Sequence, residues 1–122
     1  MPPVAPLPTD LDKIQGAWKV VSWELGGEPA PPNGARLVFT DQTGRLEAPD
    51  GAYLMTFELD PSRDPKTMDL VLMWMGSAPA KGIYELKGDE LRICYSWGWL
   101  PRPTAFTTRP GAREMLYVLR RE

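Results

Sequence analysis

Residues 81–106, KGIYELKGDELRICYSWGWLPRPTAF, decide the fold. Two runs rich in β-branched and aromatic side chains, 83–86 and 91–97, flank the polar turn Lys87-Gly88-Asp89-Glu90. That pattern predicts an antiparallel hairpin. An aromatic connection braced by Pro101 and Pro103 follows it.

The rest of the chain repeats the theme. Residues 17–25, AWKVVSWEL, predict a strand with Trp18, Val20 and Ser22 on one face and Lys19, Val21 and Trp23 on the other. Residues 53–59 alternate, with Tyr53, Met55, Phe57 and Leu59 together and Thr56 and Glu58 opposite. Residues 68–75 are apolar on both faces, which predicts a strand covered on each side. Further short strands are expected at 36–40, 45–47, 105–107 and 114–120. Turn chemistry separates them: three prolines in 26–34, Pro49-Asp50-Gly51, and Pro61 and Pro65 in 60–66. About eight to ten short strands at this spacing predict an all-β protein, a sandwich or barrel. The short connections favour an antiparallel up-and-down order.

Composition agrees. At 122 residues the chain predicts one domain, long enough for a real core. Its 14 prolines and 11 glycines favour strands and turns over long helices. Residues 1–8 read as a flexible, proline-rich arm and 9–122 as a single domain, opened by a short helical turn capped by Thr9 or Asp10. A net charge of −2 offers no footprint for nucleic acid. No apolar run is long enough for a membrane span. There is no histidine and only one cysteine, Cys94, so the usual metal and haem sites and an internal disulfide are not expected. The lone cysteine and a start without basic or apolar leader regions point to a cytoplasmic protein, with export the alternative if a cleaved signal precedes residue 1.

Gly16-Ala17-Trp18 at the start of the first strand, with Arg120-Arg121 at the end of the last, resembles lipocalin-like barrels. There the Gly-x-Trp sits at the closed end and a late arginine packs over the indole. A broader set of elements resembles a family of small uncharacterised domains abundant in planctomycete bacteria. The set comprises Ile14-Gln15-Gly16-Ala17-Trp18-Lys19-Val20-Val21-Ser22, Pro65-Lys66-Thr67-Met68-Asp69-Leu70, Lys81-Gly82-Ile83-Tyr84-Glu85-Leu86, Gly88-Asp89-Glu90-Leu91, Cys94-Tyr95 and Arg102-Pro103-Thr104-Ala105-Phe106. The resemblance implies a lipocalin-like barrel of about eight strands. It implies no catalysis.

The candidate ligand-binding residues are Trp23, Tyr53, Met55, Phe57, Trp74, Tyr84, Tyr95, Trp97 and Arg102. Flat aromatic and thioether side chains suit the wall of a barrel mouth that takes a small hydrophobic or amphipathic ligand. The same residues also serve as plain core filling. Arg102 is expected either to hold an anionic group of a ligand or to pair with Asp69, Asp89 or Glu85. Trp97-Gly98-Trp99-Leu100 is expected at a rim. The favoured function is therefore non-enzymatic ligand binding, with no cofactor. The first alternative is a filled barrel acting as a protein-interaction module, and the second a metal-independent enzyme using carboxylates or tyrosines. Asp69 is the carboxylate considered for acid–base work, since it opens a very apolar strand. Cys94 is expected to be inert, because no histidine is present to activate it. Asp60, Ser62 and Asp64 imitate a calcium loop but lack its glycine and its closing glutamate, so turn capping is expected. A solvent-open barrel cavity above about 300 Å³ separates the ligand reading from the filled module.

Overall fold

The computed structural model describes residues 7–122. The expected arm lies outside the described residues over 1–6; Leu7 and Pro8 are exposed.

One short helix, α1 (Asp10–Ile14), precedes nine strands. These are β1 (Gly16–Leu25), β2 (Glu28–Ala30), β3 (Arg36–Thr40), β4 (Thr43–Ala48), β5 (Gly51–Asp60), β6 (Thr67–Leu72), β7 (Ala78–Lys87), β8 (Glu90–Trp97) and β9 (Glu114–Arg121). β1 pairs antiparallel with β3, each strand from β3 to β8 with the next, and β9 back onto β1. The result is a closed eight-stranded, lipocalin-like antiparallel barrel, with β2 as one extra strand on the upper half of β1. Closure leaves the main sheet no free edge.

Three local expectations are corrected. Val20 pairs with Leu119 and Ser22 with Val118, so Val21 is an extra residue in a β-bulge. The bulge turns Trp23 to the face of Trp18 and Val20, where it meets Tyr117 at 6.1 Å. The apolar stretch 68–75 is strand only to Leu72; Met73–Met75 form a 3-10 turn, closed by Gly76 at φ 67. Residues 105–107 are not a strand. They belong to a strap, 98–113, that lies on the outer face of β7 and β8.

The strap explains two buried residues outside the barrel. Ile83 and Cys94 face each other across β7 and β8, are fully covered, and stand apart from the main core. Cys94 Sγ meets the Thr107 carbonyl at 3.5 Å, Ser96 Oγ donates to the Pro101 carbonyl at 2.7 Å, and Arg92 lies over the Phe106 ring at 4.3 Å.

The lower end of the barrel is closed. Trp18 is wholly buried, and its indole N–H donates to the Ile14 carbonyl at 2.8 Å. The Arg121 guanidinium lies 4.1 Å over the indole ring. It also donates to the Gln15 carbonyl at 2.9 Å and to the Lys13 carbonyl. One cation thus covers the plug and satisfies carbonyls at the end of α1. A capping box between Thr9 and Asp12 fixes the other end of the helix.

Asp10 locks α1 to the wall. Its Oδ2 accepts from Lys66 Nζ at 2.8 Å and from Tyr84 Oη at 2.7 Å. Burial pushes the carboxyl up, but these bonds and the Lys66 charge outweigh it and hold Asp10 below the usual range. A carboxylate with a depressed native pKa stabilises the fold above its unfolded pKa, and that stability is lost as pH falls through the native value. Unfolding followed by circular dichroism is expected to show an acid limb below about pH 4. Asp10→Asn should flatten that limb.

Candidate functional site

The barrel interior is filled over most of its height. Leu37, Phe39, Leu46, Met55, Phe57, Met68, Leu70, Leu72, Leu91, Ile93 and Leu119 all point inward and are buried. Phe39 and Phe57 meet edge to face at 5.2 Å. Two inward glycines are closely approached: a Cβ on Gly44 would meet the Met55 and Phe39 side chains, and one on Gly82 would lie 3.0 Å from that of Tyr95. Packing of this kind leaves the polypeptide itself as the content of the barrel.

The character changes at the upper end. Trp23 on β1, Tyr117 on β9, and Tyr95 and Trp97 on β8 form a continuous aromatic arc. Successive ring centroids are 6.1, 6.1 and 6.0 Å apart. These separations suit tilted aromatic contacts. Trp23, Trp97 and Met115 are half-buried against the core. Across the opening, Tyr53 on β5 meets Trp74 of the 3-10 turn edge to face at 5.6 Å. The Tyr53 hydroxyl donates to Asp50 Oδ2 at 2.5 Å, and the Trp23 indole N–H to the Pro31 carbonyl at 2.8 Å.

Beyond the arc the rim is exposed. Met73 is 47%, Trp74 37%, Met75 40% and Trp99 100% exposed. Ala80 pairs with Trp97 and Leu72 with Ala78, which places the 73–77 and 97–100 turns at adjoining strand ends. Exposed apolar side chains on two turns at adjoining strand ends make this end a candidate interaction surface.

The predicted site residues therefore divide. Trp23, Tyr53, Trp74, Tyr95 and Trp97 gather at the open end. Met55 and Phe57 lie deeper, in the packed core, and Tyr84 is at the closed end on Asp10. Arg102 is on the outer wall: it donates to the Gly82 carbonyl at 2.8 Å and pairs with Asp69 at 2.6 Å. Asp69 was one of its expected partners. As part of the strap, Arg102 does not reach the mouth. Sequence reasoning missed Tyr117, although its alternation with Met115 and Leu119 carried the signal.

Titratable chemistry in the barrel is muted. Burial pushes the Tyr95 and Tyr117 hydroxyls up, Tyr117 to about 12, so both stay neutral. Their hydroxyls meet at 3.5 Å. Apart from tyrosines, the buried polar or charged side chains among the described residues are Ser96, Thr108 and Glu114. All three serve the strap: Thr108 donates to Glu24, and Glu114 accepts from the Arg109 amide at 2.8 Å. Asp69 is exposed and ion-paired, not the buried carboxylate considered for acid–base work. Cys94 is buried and its thiol is pushed up to about 11, in keeping with an inert role. Asp60 accepts from the Ser62 amide and hydroxyl and pairs with Arg63, as turn capping requires. Among the described residues no three His, Cys, Asp or Glu side chains are placed to hold a metal ion. No helix among them is long and apolar enough to cross a membrane.

Three cavities open on the outside of the barrel. One of about 720 Å³ lies on the outer wall between Glu58, Asp64, Asp69 and Arg102, and one of about 590 Å³ adjoins it over Thr56, Val71 and Lys81. A third, about 340 Å³, lies along the strap. No family model, no curated protein and no solved structure matches the chain.

Proposed function

We propose that this chain is a non-enzymatic binding module that works through its aromatic open end, with its barrel filled. The partner is an uncharged, apolar segment of a protein chain. The observation that carries this reading is Trp99, wholly exposed at the end where the aromatic arc opens, with the exposed Met73, Trp74 and Met75 on the turn at the adjoining strand end. A rigid, amphipathic indole on a rim is the side chain that most often anchors a protein contact. The filled interior favours this reading over deep uptake of a ligand.

A second reading keeps the small hydrophobic or amphipathic ligand, laid across the arc of Trp23, Tyr117, Tyr95 and Trp97 instead of inside the barrel. The half-buried Trp23 and Trp97 favour it, since they offer flat apolar faces to solvent. The resemblance to the planctomycete domain family is compatible with either reading.

Tryptophan emission separates them. The chain is titrated with uncharged ten-residue peptides, one leucine-rich and one proline-rich, and with a fatty acid, a flavin, haem and a polyaromatic. A saturable shift with a peptide, weakened about tenfold or more by Trp99→Ala at unchanged thermal stability, is the expected result. A response to small molecules alone would replace it with the second reading. Silence throughout would remove both.

A further inference from the structure

The cavity of about 720 Å³ lies on the outer wall, away from the aromatic end. Sites for small organic molecules fall in the range of roughly 300–1,000 Å³. We infer that this cavity is a second binding site, for a small organic cation that carries its charge on a flat apolar body.

Three parts of the fold build the cavity. The ends of β5 and β6, with the 61–66 turn between them, supply Glu58, Asp60, Arg63, Asp64, Pro65 and Asp69. Ile83 comes from β7, and Arg102 and Pro103 come from the strap. The outer face of a sheet is shallow by itself; the strap laid on it makes the concavity. Ile83 and Pro103 are buried and Pro65 is half-buried, so an apolar part accompanies the charged part of the lining.

The charges do not balance. Four carboxylates, Glu58, Asp60, Asp64 and Asp69, share the lining with two guanidinium groups. Both cations are already engaged. Arg63 pairs with Asp60 at 3.2 Å. Arg102 pairs with Asp69 at 2.6 Å and donates to the Gly82 carbonyl at 2.8 Å, which commits it to the wall. Among the described residues Glu58 and Asp64 have no ion-pair partner. Lys81, opposite Asp69 on β7, lines the adjoining cavity of about 590 Å³.

The strand register adds an observation independent of the cavity. Glu58 and Asp69 stand directly opposite each other on β5 and β6. Like charges in that position destabilise an antiparallel pair. The packing does not call for them: both are exposed, and their neighbours Phe57 and Leu70 fill the core. A ligand cation against Glu58 and Asp64 offsets the repulsion with charge-assisted hydrogen bonds, while its apolar body covers Ile83 and Pro103. An anion would meet the surplus carboxylates, and an uncharged ligand would leave them unpaired.

Nuclear magnetic resonance of the ¹⁵N-labelled full chain tests this with three probes: benzamidine, its uncharged counterpart benzamide, and guanidinium ion without the ring. Benzamidine should move the amide signals of Glu58, Asp69, Ile83 and Thr104 saturably and leave the Trp99 indole signal in place. Benzamide and guanidinium each lack one half of the match and should bind about tenfold more weakly or worse. Glu58→Gln/Asp64→Asn should weaken benzamidine about fivefold to tenfold, the size expected for two exposed charge pairs. The same double variant should melt no lower than the parent, since the repulsion between Glu58 and Asp69 is gone. No saturable shift at these amides, benzamide or guanidinium binding as tightly as benzamidine, or benzamidine affinity unchanged in the double variant overturns the inference. A double variant that melts lower also overturns it, since the two carboxylates would then serve the fold. The aromatic end is probed by uncharged peptides, so its binding function stands or falls separately.

Discussion

Trp18→Ala should lower the unfolding free energy by about 3–5 kcal/mol, the range for deleting a large buried aromatic side chain. The indole is wholly buried, bonded to the Ile14 carbonyl and covered by Arg121. Its loss leaves a cavity under α1, an unpaired carbonyl and a guanidinium with no ring to cover. A chain of this length has on the order of 6–18 kcal/mol to lose. Thermal unfolding should therefore fall by roughly 12–20 °C, taking about 4 °C per kcal/mol for a domain of this size. Arg121→Ala keeps the indole and loses hydrogen bonds from a charged donor, so a smaller drop of about 1–3 kcal/mol is expected. A Trp18→Ala chain within about 1 kcal/mol of the parent would show that the plug is not closed as described.

Gly82→Val should destabilise by a comparable route, overpacking instead of a void. A Cβ at this position would meet the Cys94 and Met68 carbonyl oxygens at 3.0 Å as well as the Tyr95 Cβ. Two of the three obstacles are backbone on neighbouring strands, which no rotamer change can move. Alanine alone should cost about 1–3 kcal/mol, and valine more. The Gly82 carbonyl also accepts from Arg102, so the shift should loosen the strap. Cys94 then provides a readout: its labelling by a thiol reagent should quicken in Gly82→Val and stay slow in the parent. Equal labelling in both would mean that the strap is held independently of β7.

How much of this was legible in the sequence differs from element to element. The 53–59 alternation and the Gly88-Asp89 turn were read correctly because a period of two and a tight turn leave local signatures. The pairing of a late arginine with Trp18 was carried by resemblance, and the structure assigns the contact to Arg121. Trp23 was placed on the wrong face because a one-residue bulge changes no composition, only register, and every later side chain in the strand inverts with it. Residues 68–75 read as one strand because Met73, Trp74 and Met75 are as apolar as the strand they follow, with no break before Gly76. The aromatic set Trp23, Tyr53, Trp74, Tyr95 and Trp97, which lies at one end of the barrel, is legible in the sequence as a set. Its depth is not. Whether a ring fills a barrel or lines a mouth depends on which small residues face it, and Gly82 and Ala80 are assigned to the inner face only by the closed register. Its closeness to Trp99 in sequence groups Arg102 with the mouth, yet the strap folds it back onto the outer wall, against Asp69.

The five tryptophans offer the most direct measurement of the central claim, that the open end of a filled barrel is the binding surface. Each has one indole N–H resonance, and Trp18 at the closed end is a built-in control. In a titration of the ¹⁵N-labelled chain with the proline-rich peptide, the Trp74, Trp97 and Trp99 indole signals should move saturably, and that of Trp18 should not. Shifts confined to Trp18, or to the amides of the outer groove at Glu58 and Asp69 with the rim indoles unmoved, would contradict it.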